Sequence, residues 1–211
     1  MPVSYGTVTY LGVTPVTSRL SAEARREQLL DATKAIVARE GFHAVSIEAV
    51  AREAGITRPI VYGHFRDLPG LLEALVDREG RRALAQLATV LPENLGSGDP
   101  REQLVAALTG YLEAVRADPG TWRLVLMPPE GAPQVLRRRV AEGREAVLAA
   151  LAQAVQPGLG VGRESPDPEL TARMLSATAD EAARLLLTDP RAYPVQRLVA
   201  HARWVLSQLG P

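Results

Sequence analysis

Apolar residues recur every three or four positions through most of the chain, the spacing of helices that bury one face. Between Ala22 and Arg39 the residues Leu29, Ala32, Ile36 and Val37 keep this register with charges opposite, and Gly41 supplies a stop. Ser46 then stands where it can cap the free amides of IEAVAREAG, whose inner face is Ile47, Val50, Ala51 and Ala54 and whose end is Gly55. A third start follows at once. Thr57 is a good cap, and Pro59 lies in the first turn, where its missing amide hydrogen costs nothing. Two short helices joined by AGIT form a helix-turn-helix, with Ile56, Val61 and Phe65 inward and Arg58, Ile60, Tyr62 and His64 left on other faces.

Longer helices follow. Leu68 to Leu91 turns Leu71, Leu72, Leu75, Val76, Leu84 and Leu87 inward; residues 101–117 do the same with Leu104, Val105, Leu108, Leu112 and Val115. DPGTW opens a short apolar helix through Met127, and residues 133–156 repeat the signal at Leu136, Val140, Val147, Leu151 and Ala154. Two last helices run from Glu169 to Leu187 and from Ala192 to Leu209, the second with Val195, Leu198, Val199, Ala202, Val205, Leu206 and Leu209 in register. PENLGSGDP, PPEGAP and QPGLGVGRESPDP read as loops. The expected fold is all-α, about nine helices: an uncharged arm over residues 1–18, a compact three-helix group over 19–67 and a helical bundle over 68–211.

Composition narrows the chemistry. Cysteine is absent, which removes disulfides and thiolate nucleophiles, and His43, His64 and His201 lie too far apart to suggest a metal site. No evident nucleophile, metal cluster or phosphate loop points to an enzyme, and no cofactor is expected. Neither a long apolar run nor a leader-like start is present, so a cytoplasmic protein with no membrane partner is expected. Net charge is zero, and residues 19–67 carry eight cations against seven anions, so any nucleic-acid contact there must come from geometry rather than bulk charge. The single lysine, Lys34, beside 23 arginines reads as codon usage.

The amino-terminal residues resemble the TetR family of one-component transcriptional regulators: Gly41-Phe42, the Ser46 cap, VAREAG and Tyr62-Gly63-His64-Phe65 follow its motif over residues 25 to about 75. The resemblance implies that the helix from Thr57 to His64 enters the major groove of a double-stranded DNA operator. Arg58 would meet a guanine edge or a phosphate, and Pro59 and Ile60 a thymine methyl. Tyr62 and His64 would hold backbone phosphates, with Ser46 and Thr57 beside them and Gly63 leaving room for the DNA strand. Two positions depart from the motif. Leu68 stands where a lysine is common, with Arg66 two residues away to compensate, and Val45 where threonine is usual.

Beyond residue 75 the resemblance rests on helix count, and implies binding of a small-molecule effector and homodimerisation. Tyr111, Trp122, Met127 and Met174 are candidate pocket lining or simply core. Asp180, Glu181 and Arg184 are charges in an apolar segment, either ligand anchors or, for Asp180 and Arg184, an ion pair one turn apart. Ala172, Ser176, Ala177, Ala179, Ala182 and Ala183 would let a partner helix approach closely or close the chain's own core. The implied function is a repressor released from its operator by an effector. The second reading, prompted by Leu68 and the near-neutral module, is a TetR-like helical ligand-binding or interaction protein that has lost specific DNA binding.

Overall fold

A computed structural model describes residues 20–90, 99–127, 134–156 and 167–208. The expected arm, most of the three loops, Leu91, Leu209 and the side chain of Leu136 lie outside the described residues. Within them the chain forms nine α-helices: α1 (Ala22–Glu40), α2 (Ile47–Glu53), α3 (Arg58–His64), α4 (Leu68–Ala88), α5 (Pro100–Ala117), α6 (Pro119–Leu126), α7 (Gln134–Val155), α8 (Pro168–Thr188) and α9 (Val195–Gln208). A short 3-10 turn, Phe42–Ala44, which the periodicity does not predict, turns Phe42 into the core after α1.

The helix starts are chemically explicit. Ser21, Ser46 and Asp67 accept from the amides of Ala24, Ala49 and Gly70 at 3.1, 3.1 and 2.8 Å. The helices α5, α6 and α8 each begin with an Asp-Pro pair, in which the aspartate caps and the proline occupies the first turn. Thr57 sits at the cap position of α3 but makes no side-chain capping bond. Gly55, with φ 67°, closes α2: its amide reaches Arg52 O at 3.2 Å and the Ile56 amide reaches Ala51 O at 2.9 Å. This pairing needs a left-handed residue and swings Ile56 back onto the core.

Two apolar clusters result. The first joins α1, α2 and α3 through Leu29, Ile36, Phe42, Val50, Val61 and Phe65 to the start of α4 at Leu71, Leu75 and Val76. The second gathers Ala83 of α4 with Leu112, Val115, Trp122, Ala183, Leu186 and Val195 from α5, α6, α8 and α9. Helix α4, 21 residues and so about 31 Å long, therefore contributes to both.

Three readings of the periodicity are corrected. Leu84, placed inward on its spacing, is 42% exposed, because the α4 face it shares turns towards a cavity instead of a packed neighbour. Helix α9 starts at Val195, not Ala192, since Asp189 holds the amides of Arg191 and Ala192 in a turn and Pro194 precedes the first helical residue. Ala172 and Ala183 are completely buried within their own chain, so neither is free for a partner helix.

Candidate nucleic-acid interface and helical-domain cavity

Helix α3 is held by what lies beneath it. Val61 and Phe65 are buried and point into the first cluster, four residues apart on one face. Helix α1 clamps the same unit from the side: Arg26 lays its guanidinium over the Phe65 ring at 4.4 Å and donates to His64 O at 3.2 Å, while Gln28 donates to Ala54 O at 3.1 Å in the turn. With the inner positions committed, Arg58, Pro59, Ile60, Tyr62, Gly63 and Arg66 are exposed and His64 and Ser46 half-buried. Ile60 is 41% and Tyr62 55% exposed, and a Cβ on Gly63 would meet nothing within 4 Å. Arg58 is not free on this face. It pairs with Glu48 of α2 at 2.9 Å, and its hydrogen bond holds that carboxyl below the ordinary range.

Where α1 meets α4 and α6 lies a buried polar junction. The Lys34 ammonium stands 2.7 Å from Glu79 Oε2, 2.7 Å from Thr121 Oγ1 and 3.3 Å from Asp118 Oδ1. Glu79 is only 2% exposed, and it also takes Arg78 at 2.8 Å and the Thr121 hydroxyl. Arg78 in turn reaches Glu27 and Asp31 of α1 at 2.9 and 2.8 Å. Burial pushes the Glu79 carboxyl up, but the bonds from Lys34 and Thr121 and the nearby cations outweigh it, leaving it below its ordinary value. Gly120 makes room for this: a Cβ there would come within 2.9 Å of Lys34 Cε. Lys34 is thus structural chemistry, not only codon usage.

Beyond the junction a cavity of about 970 Å³, partly open to solvent, is lined by α4, α5, α6, α7, α8 and α9, with Glu79 in its wall. Of the residues expected to line a pocket, Tyr111, Trp122, Met174 and Asp180 do so. Tyr111 and Trp122 meet edge to face with centroids 5.2 Å apart. Trp122 is pinned by its indole nitrogen to Gln86 Oε1 at 2.7 Å. Met127 and Arg184 lie outside the lining. Met127 is exposed just past α6, and Arg184 instead donates to Leu126 O at 3.3 Å and pairs with Glu181 at 3.1 Å. The alternative pairing of Asp180 with Arg184 is absent too. Asp180 bonds Arg144 of α7 and accepts from the Tyr111 hydroxyl at 3.2 Å.

Residues 29–75, which span α2, α3 and the packed face of α1 beneath them, match the family described as bacterial regulatory proteins, tetR family. Residues 29–75 are thus a TetR-type module. The chain is 31% identical over 126 residues to the HTH-type transcriptional regulator BetI of Yersinia pestis, an alignment covering 57% of this chain and 62%, under two thirds, of that relative's length. It superposes over 92% of its length on the whole of a TetR-like transcriptional regulator from Rhodococcus sp. RHA1, at 25% identity and a TM-score of 0.72. It likewise superposes over 88% of its length on 91% of the protein in the SmeT–triclosan complex, at 25% identity and a TM-score of 0.68.

Relative to the TetR motif, three features of this chain were not singled out from sequence: the Arg26 clamp, the Glu48 partner of Arg58 and the Lys34 junction. Each joins residues between 10 and 87 positions apart, beyond the reach of helical periodicity. No group of three or more metal-ligating side chains occurs among the described residues, and no described helix is long and apolar enough to cross a membrane.

Proposed function

We propose that this protein is a TetR-family DNA-binding transcriptional regulator of the cytoplasm. In this reading residues 19–67 bind a double-stranded operator, and a small molecule filling residues 68–211 releases the repressor. The observation that carries the reading is the outer face of α3, where Ile60 and Tyr62 stand exposed on a seven-residue helix whose inner face is anchored by Val61 and Phe65. An apolar side chain beside a phenol, an arginine and a histidine suits a groove with methyls and phosphates better than it suits water. Arg58, Pro59 and Ile60 would meet base edges. Tyr62, His64, Arg66, Thr57 and Ser46 would meet phosphates, with the DNA strand passing over Gly63.

A homodimer is part of the proposal. Exposed Leu170 and Met174 on α8 and Trp204 and Val205 on α9 support a two-fold, four-helix contact. It would set the two copies of α3 about 34–36 Å apart, one turn of DNA. An effector would act by favouring a different spacing, so effector and DNA weaken each other equally.

Mobility-shift titration against genomic fragments, with Tyr62→Ala alongside, tests this reading. The substitution should weaken binding at moderate salt, and equal binding by both proteins would rule out the α3 face. The Glu48 carboxylate beside Arg58 favours the second reading, a ligand-binding or interaction protein without specific DNA binding. That reading gains if no salt-dependent binding is seen.

A further inference from the structure

Among the described residues, the ionisable side chains in the cavity wall are Glu79, Arg139, Arg144, Asp180, Glu181 and His201. Each of the first five is already neutralised by the protein. Glu79 has Lys34 and Arg78 at 2.7 and 2.8 Å. Arg139 has Asp77 at 3.0 Å and Glu142 at 3.2 Å. Arg144 and Asp180 hold each other, and Glu181 holds Arg184 at 3.1 Å. His201 is exposed and stacks on Trp204 with centroids 5.6 Å apart. The rest of the wall is mostly aliphatic, with Leu87, Leu108, Val125, Val140, Val147 and Leu175 drawn from five helices.

An ionic head group carried into the interior of this space, away from its solvent-facing mouth, would meet one of two obstacles. It could remain unpaired in an apolar chamber, losing its hydration without replacement. Or it could take a partner from an existing pair, leaving Asp180, Arg144 or Glu79 uncompensated in its place. A neutral molecule meets neither, and it gains from covering the aliphatic wall. The volume, about 970 Å³, is at the upper end of ordinary small-molecule sites of roughly 300–1,000 Å³.

We infer that the cavity selects an uncharged, largely apolar small molecule, and that the Arg144–Asp180 pair is the element that rejects ionic analogues. The inference rests on the reading of this cavity as the effector site. Its polar contact is the Tyr111 hydroxyl and the outer edge of Asp180, which can exchange a hydrogen bond with a neutral hydroxyl or carbonyl without releasing Arg144. Burial pushes the Asp180 carboxyl above its ordinary value, with Arg144 and Tyr111 partly offsetting this, so loss of Arg144 would leave Asp180 poorly served.

The test uses the full chain near neutral pH with the neutral fluorophore N-phenyl-1-naphthylamine, displaced by three molecules that share one alkyl chain: 1-dodecanol, dodecanoate and dodecylammonium. All are kept below aggregating concentrations. Dodecanol should displace the probe at a concentration at least about tenfold lower than either ion. An ion that matches or beats dodecanol overturns the inference, and so does failure of both probe and dodecanol to bind.

Two variants then test the pair. Asp180→Asn, which frees the guanidinium, should improve dodecanoate at least about fivefold, and Arg144→Gln should improve dodecylammonium by a similar factor, each leaving dodecanol nearly unchanged. Circular dichroism confirms folding. Unchanged ion affinities in two folded variants would remove the pair from any selective role. DNA binding by the unliganded protein is measured separately, so loss of the regulatory reading and loss of the head-group ranking are distinguishable.

Discussion

Replacing Lys34 with methionine keeps the aliphatic stem that Gly120 accommodates and removes only the ammonium. In the wild-type protein that ammonium donates to Glu79 and Thr121 at 2.7 Å and to Asp118 at 3.3 Å, with Glu79 only 2% exposed. Breaking a buried ion pair from one side costs about 3–5 kcal/mol, because the remaining charge is left in a poor solvent. Here the loss is softened, since Glu79 retains Arg78 and the Thr121 hydroxyl, and the Lys34 side chain is 18% exposed. We therefore expect Lys34→Met to cost about 2–3 kcal/mol, at or just below the bottom of that range. For a chain of this size that corresponds to roughly 4–12 °C in the unfolding midpoint.

Urea unfolding followed by circular dichroism, with an unchanged slope, is the assay. Two further proteins make the result decisive. Arg39→Met removes the solvent-exposed contact with Glu53 and should hardly move the midpoint. The double variant Lys34→Met, Glu79→Gln should recover part of the loss, because no orphaned carboxylate remains. A Lys34→Met shift no larger than that of Arg39→Met would refute the reasoning, for the junction would then behave like a solvated pair.

Other expectations follow from the same contacts. Glu48→Gln removes the carboxylate facing Arg58, so DNA affinity in a mobility-shift assay should rise severalfold and its logarithmic salt slope should steepen by roughly 0.9. Arg26→Ala removes the cation over Phe65 and the donor to His64 O; it should cost about 1 kcal/mol in urea unfolding and weaken DNA binding without altering probe binding in the cavity. Acid should unfold the wild-type protein through Glu79 and Asp118. Burial alone would raise both carboxyls, but Lys34 and Thr121 bring them below their ordinary 4.5 and 3.8, so their stabilisation is complete above those values and is lost as pH falls from them through the lower folded-state values. A pH series from about 6 to 3 should therefore show a shallower decline for Lys34→Met than for the wild-type protein.

Local chemistry was the legible part of this molecule. Ser46, Gly55 and Pro59 announce the ends of α2 and α3 because caps, left-handed turns and first-turn prolines act within a few residues, and the inner residues Val61 and Phe65 follow from spacing alone. The Asp-Pro pairs at residues 99, 118 and 167 carry the same information for α5, α6 and α8. Spacing cannot distinguish a side chain that meets another helix from one that faces a cavity, and Leu84 is of the second kind. Nor does it give the far partner of a charge. Asp180 and Arg184 sit one turn apart and look paired, yet Arg144 and Glu181 reach them first. Glu79, an ordinary surface residue by composition, is buried because three helices converge on it.

The lone lysine leaves the protein with a built-in clock. An amine-directed acylating ester has a single side-chain target in this sequence, and that nitrogen is occupied by three oxygens beneath the first turn of α6. Acylation at Lys34, followed by mass spectrometry of the peptide that carries it, should thus proceed only as often as α1 and α6 part.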